Sequence, residues 1–296
     1  MLSHAALIFI IGATAAVSLG VADFFGARAS KNIGPITAAF AVQIVGTVAV
    51  CVWYPFTGVG VPSAPLGIWL YALAGALLIG AGMCTLYMAF EIGPVSLASP
   101  LSAAYPLITA AVGVMFFHAA LGGVQCMAVL ITVLGIMAAS GVFGVEKSER
   151  KVSAGPRLAL LTTFLWGLAY PLLGQAINVV GWQAVTLIQF VAMVPVLGVM
   201  LIGRRAHEHV TPAVVGAAVR NPFIIAAGLM QMFAVLAINF GYGLDQTAGT
   251  IVVATSATYP AITMILALRH FEEQTDRLKL AGAGLTVAGV IALYLS

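Results

Sequence analysis

Residues 101–117, LSAAYPLITAAVGVMFF, return 154 positions later as residues 255–271, TSATYPAITMILALRHF. Ser102 falls on Ser256, Tyr105-Pro106 on Tyr259-Pro260 and Phe117 on Phe271. The same offset carries Glu91 onto Asp245 and Gly135-Ile136-Met137-Ala138 onto Gly289-Val290-Ile291-Ala292. Near the start of each half, an offset of 147 matches Gly20 with Gly167, Ala22 with Ala169 and Gly34 with Gly181. The chain reads as one unit written twice.

The solvent of that unit follows from composition. Of 296 residues, 62% are hydrophobic and 7% charged, with a mean hydropathy of +1.10. A soluble domain carries roughly 25% charge. A water-facing surface cannot be made from so few charges, whereas lipid asks for none. The net charge of +3 comes with no basic stripe interleaved with aromatics, so nucleic acid is not an expected partner. Cys51, Cys84 and Cys126 lie far apart inside apolar segments, a pattern of neither disulfides nor a metal site. The first apolar stretch has no basic leader and no cleavage signal, and reads as a retained helix.

A spanning helix needs about 20 apolar residues. Ten such runs are expected at 5–25, 34–54, 67–89, 95–116, 121–143, 157–178, 182–203, 222–243, 248–268 and 277–295, separated by Gly, Pro and charge clusters. All twelve Lys and Arg fall in the loops after helices one, five, seven and nine. Cytoplasmic loops retain such charges, so both termini are expected outside and the basic loops in the cytoplasm of a multi-pass plasma (inner) membrane protein. The fold class is all-α and integral to the membrane. Residues 1–145 form the first five-helix repeat, 146–156 a basic cytoplasmic linker and 157–296 the second repeat. Five is odd, so the second copy enters upside down; transporters use such inverted repeats to build two equivalent gates. A duplication that merely stabilises a bundle is the plainer alternative.

Polar residues at membrane level are the candidates for function. Ser96, Ser99 and Ser102 recur every third residue in the fourth run, and Tyr105 continues that face. Thr250, Ser256 and Tyr259 repeat it in the ninth. Hydroxyls at such spacing either let helices pack closely or line a solute site at the repeat axis. Around them are expected Gln43, Tyr87, Trp166, Tyr170, Gln189, Gln231 and Asn239, whose polar groups need protein or a wet cavity. An aromatic and amide-lined pocket suits a small zwitterionic or aromatic metabolite. Asp23 is either an interfacial acid paired with Arg28 or a proton- or amine-binding carboxylate, and the pairing is the favoured reading. Glu91 and Asp245 read as helix-end residues. No P-loop, dinucleotide fingerprint, nucleophile elbow or zinc-protease motif is present, and His207-Glu208-His209 lacks the spacing for two ligands on one helical face. No enzyme activity, catalytic residue, metal or cofactor is expected, and any uphill transport would draw on a gradient.

Ala89-Phe90-Glu91-Ile92-Gly93-Pro94, Leu101-Ser102-Ala103-Ala104-Tyr105-Pro106 and Leu134-Gly135-Ile136 resemble the EamA domain of the drug/metabolite transporter superfamily. Tyr259-Pro260, Glu272-Glu273, Gly282 through Gly289 and Trp166-Gly167 extend the resemblance over the second half. The two copies differ where His118 stands against Glu272 and Asp23 against Tyr170. The resemblance implies secondary, non-ATP transport of small metabolites, frequently outward, with amino acids or related compounds as the expected solutes of a monomer or homodimer in lipid. A flippase of a lipid-linked head group is the first alternative, and a non-transporting membrane enzyme or scaffold the second.

Overall fold

The computed structural model describes residues 3–92, 95–117, 121–139, 154–205 and 207–263, and beyond them 266, 278, 281–282, 284–286, 288–289 and 292. The side chains at 31, 95–97, 100, 139 and 156 are excepted. His118, Glu272, Glu273 and the linker residues 146–153 lie outside the described residues, as does the side chain of Ser96.

The regular structure among the described residues is all helical, with no strand. In order they form α1 (His4–Ile33), α2 (Pro35–Trp53), α3 (Leu66–Ile92), α4 (Val95–Ser102), α5 (Tyr105–Phe117) and α6 (Gly123–Ala139). Then follow α7 (Ala154–Val180), α8 (Trp182–Arg204), α9 (Pro212–Ala218), α10 (Pro222–Leu244) and α11 (Gln246–Ser256), with helix resuming at 259–263. Among the described residues six helices are long and apolar enough to cross a membrane: α1, α2, α3, α7, α8 and α10. Helices bond every backbone group internally, which a lipid interior demands. The outer surface agrees, with Val48, Val52, Met115, Phe116, Val199 and Ile202 all exposed.

Local sequence sets the helix ends. Pro opens α2, α9 and α10, where its missing N–H is no loss. Asn221 caps α10 by accepting from Phe223 N at 2.9 Å, and Asp245 caps α11 by accepting from Ala248 N at 2.7 Å. Gly34 and Gly181 join α1 to α2 and α7 to α8 in a single residue. Their φ angles of 88° and 82° are open to glycine and strained for other residues.

Two expected spans are not continuous helices. The run at 95–116 breaks at Ala103–Ala104, and the run at 248–268 breaks at Ala257–Thr258, 154 residues on. The cause is Pro106 and Pro260, which cannot donate to the carbonyls of Ser102 and Ser256 and crowd them. Both breaks tighten to three-residue hydrogen bonds: Ala104 N to Leu101 O at 3.3 Å and Leu107 N to Ala104 O at 3.2 Å, matched by Thr258 N to Thr255 O at 3.1 Å and Ala261 N to Thr258 O at 3.0 Å. Ser99 and Ser102 share a face of α4, but Tyr105 opens α5 beyond the break and does not continue that face as an unbroken run would require. The expected first span also ends too early, because α1 continues to Ile33 and holds Asp23 within the helix.

The two halves interlock. α3 packs on α7 and α1 on α10; α5 packs on α7 and α1 on α11; α3 packs on α8 and α10 on α2; and α2 meets α8. Most of these contacts join one half to the other and recur with the partners exchanged; the counterpart of α1 on α11 is α4 on α7, since α11 stands 154 residues after α4. Small residues permit the close approach: Ala15, Ala38, Ala72, Ala76, Ala169 and Ala176 are fully or almost fully buried. Cys84 is buried, whereas Cys51 and Cys126 lie on the outer surface, so only the first packs in the interior.

Candidate functional site

The two breaks face each other. Ser102 Oγ and Tyr259 Oη are 2.9 Å apart, and Ser256 Oγ and Tyr105 Oη are 3.1 Å apart, all in buried residues. These two bonds exchange residues at the offset of 154. Each Ser hydroxyl also lies back on its own helix, on Ser99 O at 2.6 Å and Val253 O at 2.8 Å. Tyr259 Oη further donates to Ser99 O at 3.3 Å.

The helices that clamp this crossing do so in matched fashion. A Cβ on Gly20 would fall 2.7 Å from Ile262 Cβ and 2.9 Å from Tyr259 O. A Cβ on Gly167 would fall 2.5 Å from Ile108 Cβ and 3.1 Å from Tyr105 O. Thr263 Oγ1 donates to Gly20 O at 3.2 Å and Thr109 Oγ1 to Gly167 O at 3.3 Å. Only glycine lets α1 and α7 come this close to the broken helices. Gly135 against Thr286 and Gly289 against Thr132 form a further matched pair.

On the α7 side aromatic rings gather around Tyr105. The ring of Tyr105 stacks on Tyr170 at 5.3 Å and meets Trp166 edge-on at 5.6 Å. Trp166 Nε1 donates to Ile79 O at 3.2 Å, which fixes the indole against α3. Ser99, Ser102, Tyr105, Trp166, Tyr170, Ser256 and Tyr259 are thus brought together.

The amides have other work. Gln43 donates to Phe190 O at 2.9 Å, tying α2 to α8. Asn239 donates to Gln189 Oε1 at 3.0 Å and Thr186 Oγ1 at 2.9 Å, tying α10 to α8. Gln231 reaches Met83 Sδ at 3.6 Å. None of the four bonds to the Ser–Tyr crossing; they join helices, as polar groups between membrane helices do.

Asp23 departs from the expected pairing with Arg28. The Arg28 guanidinium lies over the Phe223 ring, 4.7 Å from its centroid, and Asp23 Oδ2 is buried without a hydrogen-bond partner. Five residues turn a helix by about 140°, so the two side chains point apart. Tyr87 stands nearby, its hydroxyl pressed against Gly26 on α1.

Three residues outside the expected site make connections that their local sequence does not signal. Glu208 reaches across the halves to the start of α2, accepting from Ile36 N at 3.2 Å, Thr37 N at 2.9 Å and Thr37 Oγ1 at 2.8 Å. Glu91 pairs with Arg204 at 3.1 Å. Among the described residues no His, Cys, Asp and Glu cluster is arranged to hold a metal ion.

The sequence pattern of the EamA-like transporter family matches residues 6–141 and again residues 154–295. The chain therefore belongs to that family, and it is a multi-pass membrane protein of transporter type. An uncharacterized protein of Methanocaldococcus jannaschii is 30% identical over 128 residues, which are 92% of that protein and 43% of this chain. That relative is about half as long as this chain. A solved crystal structure, described only as that of a protein, superposes with a TM-score of 0.73 at 15% identity over 97% of this chain and 96% of its own. That likeness concerns the fold.

Proposed function

We propose that the chain is a secondary carrier of ten membrane helices, built from inverted five-helix repeats at 1–145 and 157–296 joined by the linker 146–156. It moves small organic metabolites outward by alternating access, with amino acids or related compounds as its solutes. The observation that carries this reading is the pair of exchanged Ser–Tyr bonds between two helices broken at equivalent positions. Discontinuous helices meeting at a repeat interface are where carriers of this kind hold their solute. Tyr170 and Trp166 supply an aromatic wall beside that point, and the half-length relative fits a repeat that can exist alone. Ser99, Ser102, Tyr105, Trp166, Tyr170, Ser256 and Tyr259 contact the solute, and Asp23 and Tyr87 flank it; Gln43, Gln189, Gln231 and Asn239 hold the helices around it.

Purified protein in liposomes loaded with unlabelled amino acids or amines should draw in the labelled counterpart by exchange. Absence of exchange across the whole panel overturns the carrier reading. The proposed orientation has both termini outside and the basic loops in the plasma (inner) membrane's cytoplasmic face. In a background lacking Cys51, Cys84 and Cys126, Gly60→Cys on intact cells should react with an impermeant thiol reagent and His207→Cys should not. The opposite labelling reverses the orientation.

A further inference from the structure

The inward face of α1 is marked by three glycines. Gly12 abuts Thr255, Gly20 abuts Ile262 and the Tyr259 carbonyl, and Gly26 abuts the Tyr87 hydroxyl. Asp23 lies three residues from both Gly20 and Gly26, which at about 100° per residue puts it within about 60° of each around the helix. The exposed Ile10 and Val17 mark the opposite, outer side. The carboxylate is therefore directed into the protein, between the broken helix at 257–258 and α3. Oδ2 is buried and has no partner, and at the crossing the buried Ser99 hydroxyl has none either. A half-buried carboxyl with one buried, unpaired oxygen is expensive in a membrane protein and persists where something else compensates it. Arg28 does not, since it is engaged with Phe223. Among the described residues no Lys or Arg forms an ion pair with Asp23.

The equivalent position in the second half is Tyr170, stacked on Tyr105. Beside the crossing there is thus a carboxyl group on α1 and a stack of aromatic rings on α7. We infer that Asp23 anchors the ammonium group of an organic amine whose apolar or aromatic body lies against Tyr105, Trp166 and Tyr170. A zwitterion fits worse, because its carboxylate would lose water without meeting a cation. This narrows the solute class of the proposed carrier and rests on that reading of the site. Among compounds related to amino acids, the site selects amines that lack the carboxylate.

Three probes with one aromatic body separate the charges: 2-phenylethylamine, phenylalanine and 3-phenylpropionate. In equilibrium dialysis against the purified full chain, the amine should bind roughly tenfold tighter than phenylalanine, the scale of one charge-assisted contact. The propionate should bind weakest. Asp23→Asn should erase the amine's advantage and Asp23→Glu should keep it. The wild-type ranking needs no substitution and so stands even where a variant does not fold. Phenylalanine binding as tightly as the amine, an unchanged ranking in Asp23→Asn, or binding of none of the three overturns the proposal. Exchange in vesicles separates it from the carrier reading. Flux of uncharged or zwitterionic solutes indifferent to Asp23→Asn leaves the carrier and removes the amine site. Asp23-dependent amine binding without any flux does the reverse.

Discussion

The start of α2 and the start of α8 are the same turn made twice. Each follows a glycine at positive φ, 88° at Gly34 and 82° at Gly181. At α2, however, the Glu208 carboxylate accepts from two backbone amides and a hydroxyl, while among the described residues no side chain does the same at the start of α8. Glu91 and Asp245 are likewise equivalent positions, yet one pairs with Arg204 and the other caps its own helix. At the crossing the two Ser–Tyr bonds match, and at the rims the halves diverge. Close packing tolerates little change where four helices meet. Polar ties at the rim are free to differ. Glu208 and the Glu91–Arg204 pair both lie on the face of the basic loops, and both tie α8 or the segment after it to the first half.

The largest effects belong to the matched centre. Gly20→Val and Gly167→Val each force a branched side chain into an isoleucine and a backbone carbonyl. Each should lower stability by about 1–3 kcal/mol or more, seen as a fall in apparent melting temperature of the detergent-solubilised protein. The two falls should be alike; tolerance of one and not the other would break the equivalence. Glu208→Ala should cost about 1–2 kcal/mol, because the amides of Ile36 and Thr37 lose a charged acceptor. A stability equal to wild type would show that water serves that helix end as well as the carboxylate does. Asp245→Ala removes a single cap contact and should cost about 1 kcal/mol by the same measurement. Smallest is Glu91→Gln, about 0–1 kcal/mol and less at high salt, since the Arg204 pair is partly exposed. A loss from Glu91→Gln as large as that from Glu208→Ala would mean the rim ties act as one network.

The sequence foretold this centre better than its surroundings. Tyr105-Pro106 and Tyr259-Pro260 mark both copies, and the residues that form the crossed bonds stand out as hydroxyls in apolar runs. The breaks were legible too, because a proline inside a run interrupts the helix about one turn earlier. Read as continuous spans, those runs put Tyr105 and Tyr259 on the same face as the serines before them, from which the breaks separate them. Asp23 and Arg28 are near in sequence and apart on the helix, which periodicity alone would have told. Gln43, Gln189 and Asn239 had to find partners, but composition says only that partners exist and not that they belong to α2, α8 and α10. Glu208 bonds to residues 171 and 172 positions away, and nothing local to it announces a helix end elsewhere.

The two exchanged bonds can be tested as the place where the solute is held. With a solute that exchanges in reconstituted vesicles, Tyr105→Phe and Tyr259→Phe each delete one hydroxyl and leave the ring. Each should slow exchange by a similar factor, roughly fivefold for a hydrogen bond of about 1 kcal/mol, and the double variant should be slower than either. Exchange at the wild-type rate in the folded double variant would contradict the assignment of the crossing as the solute site.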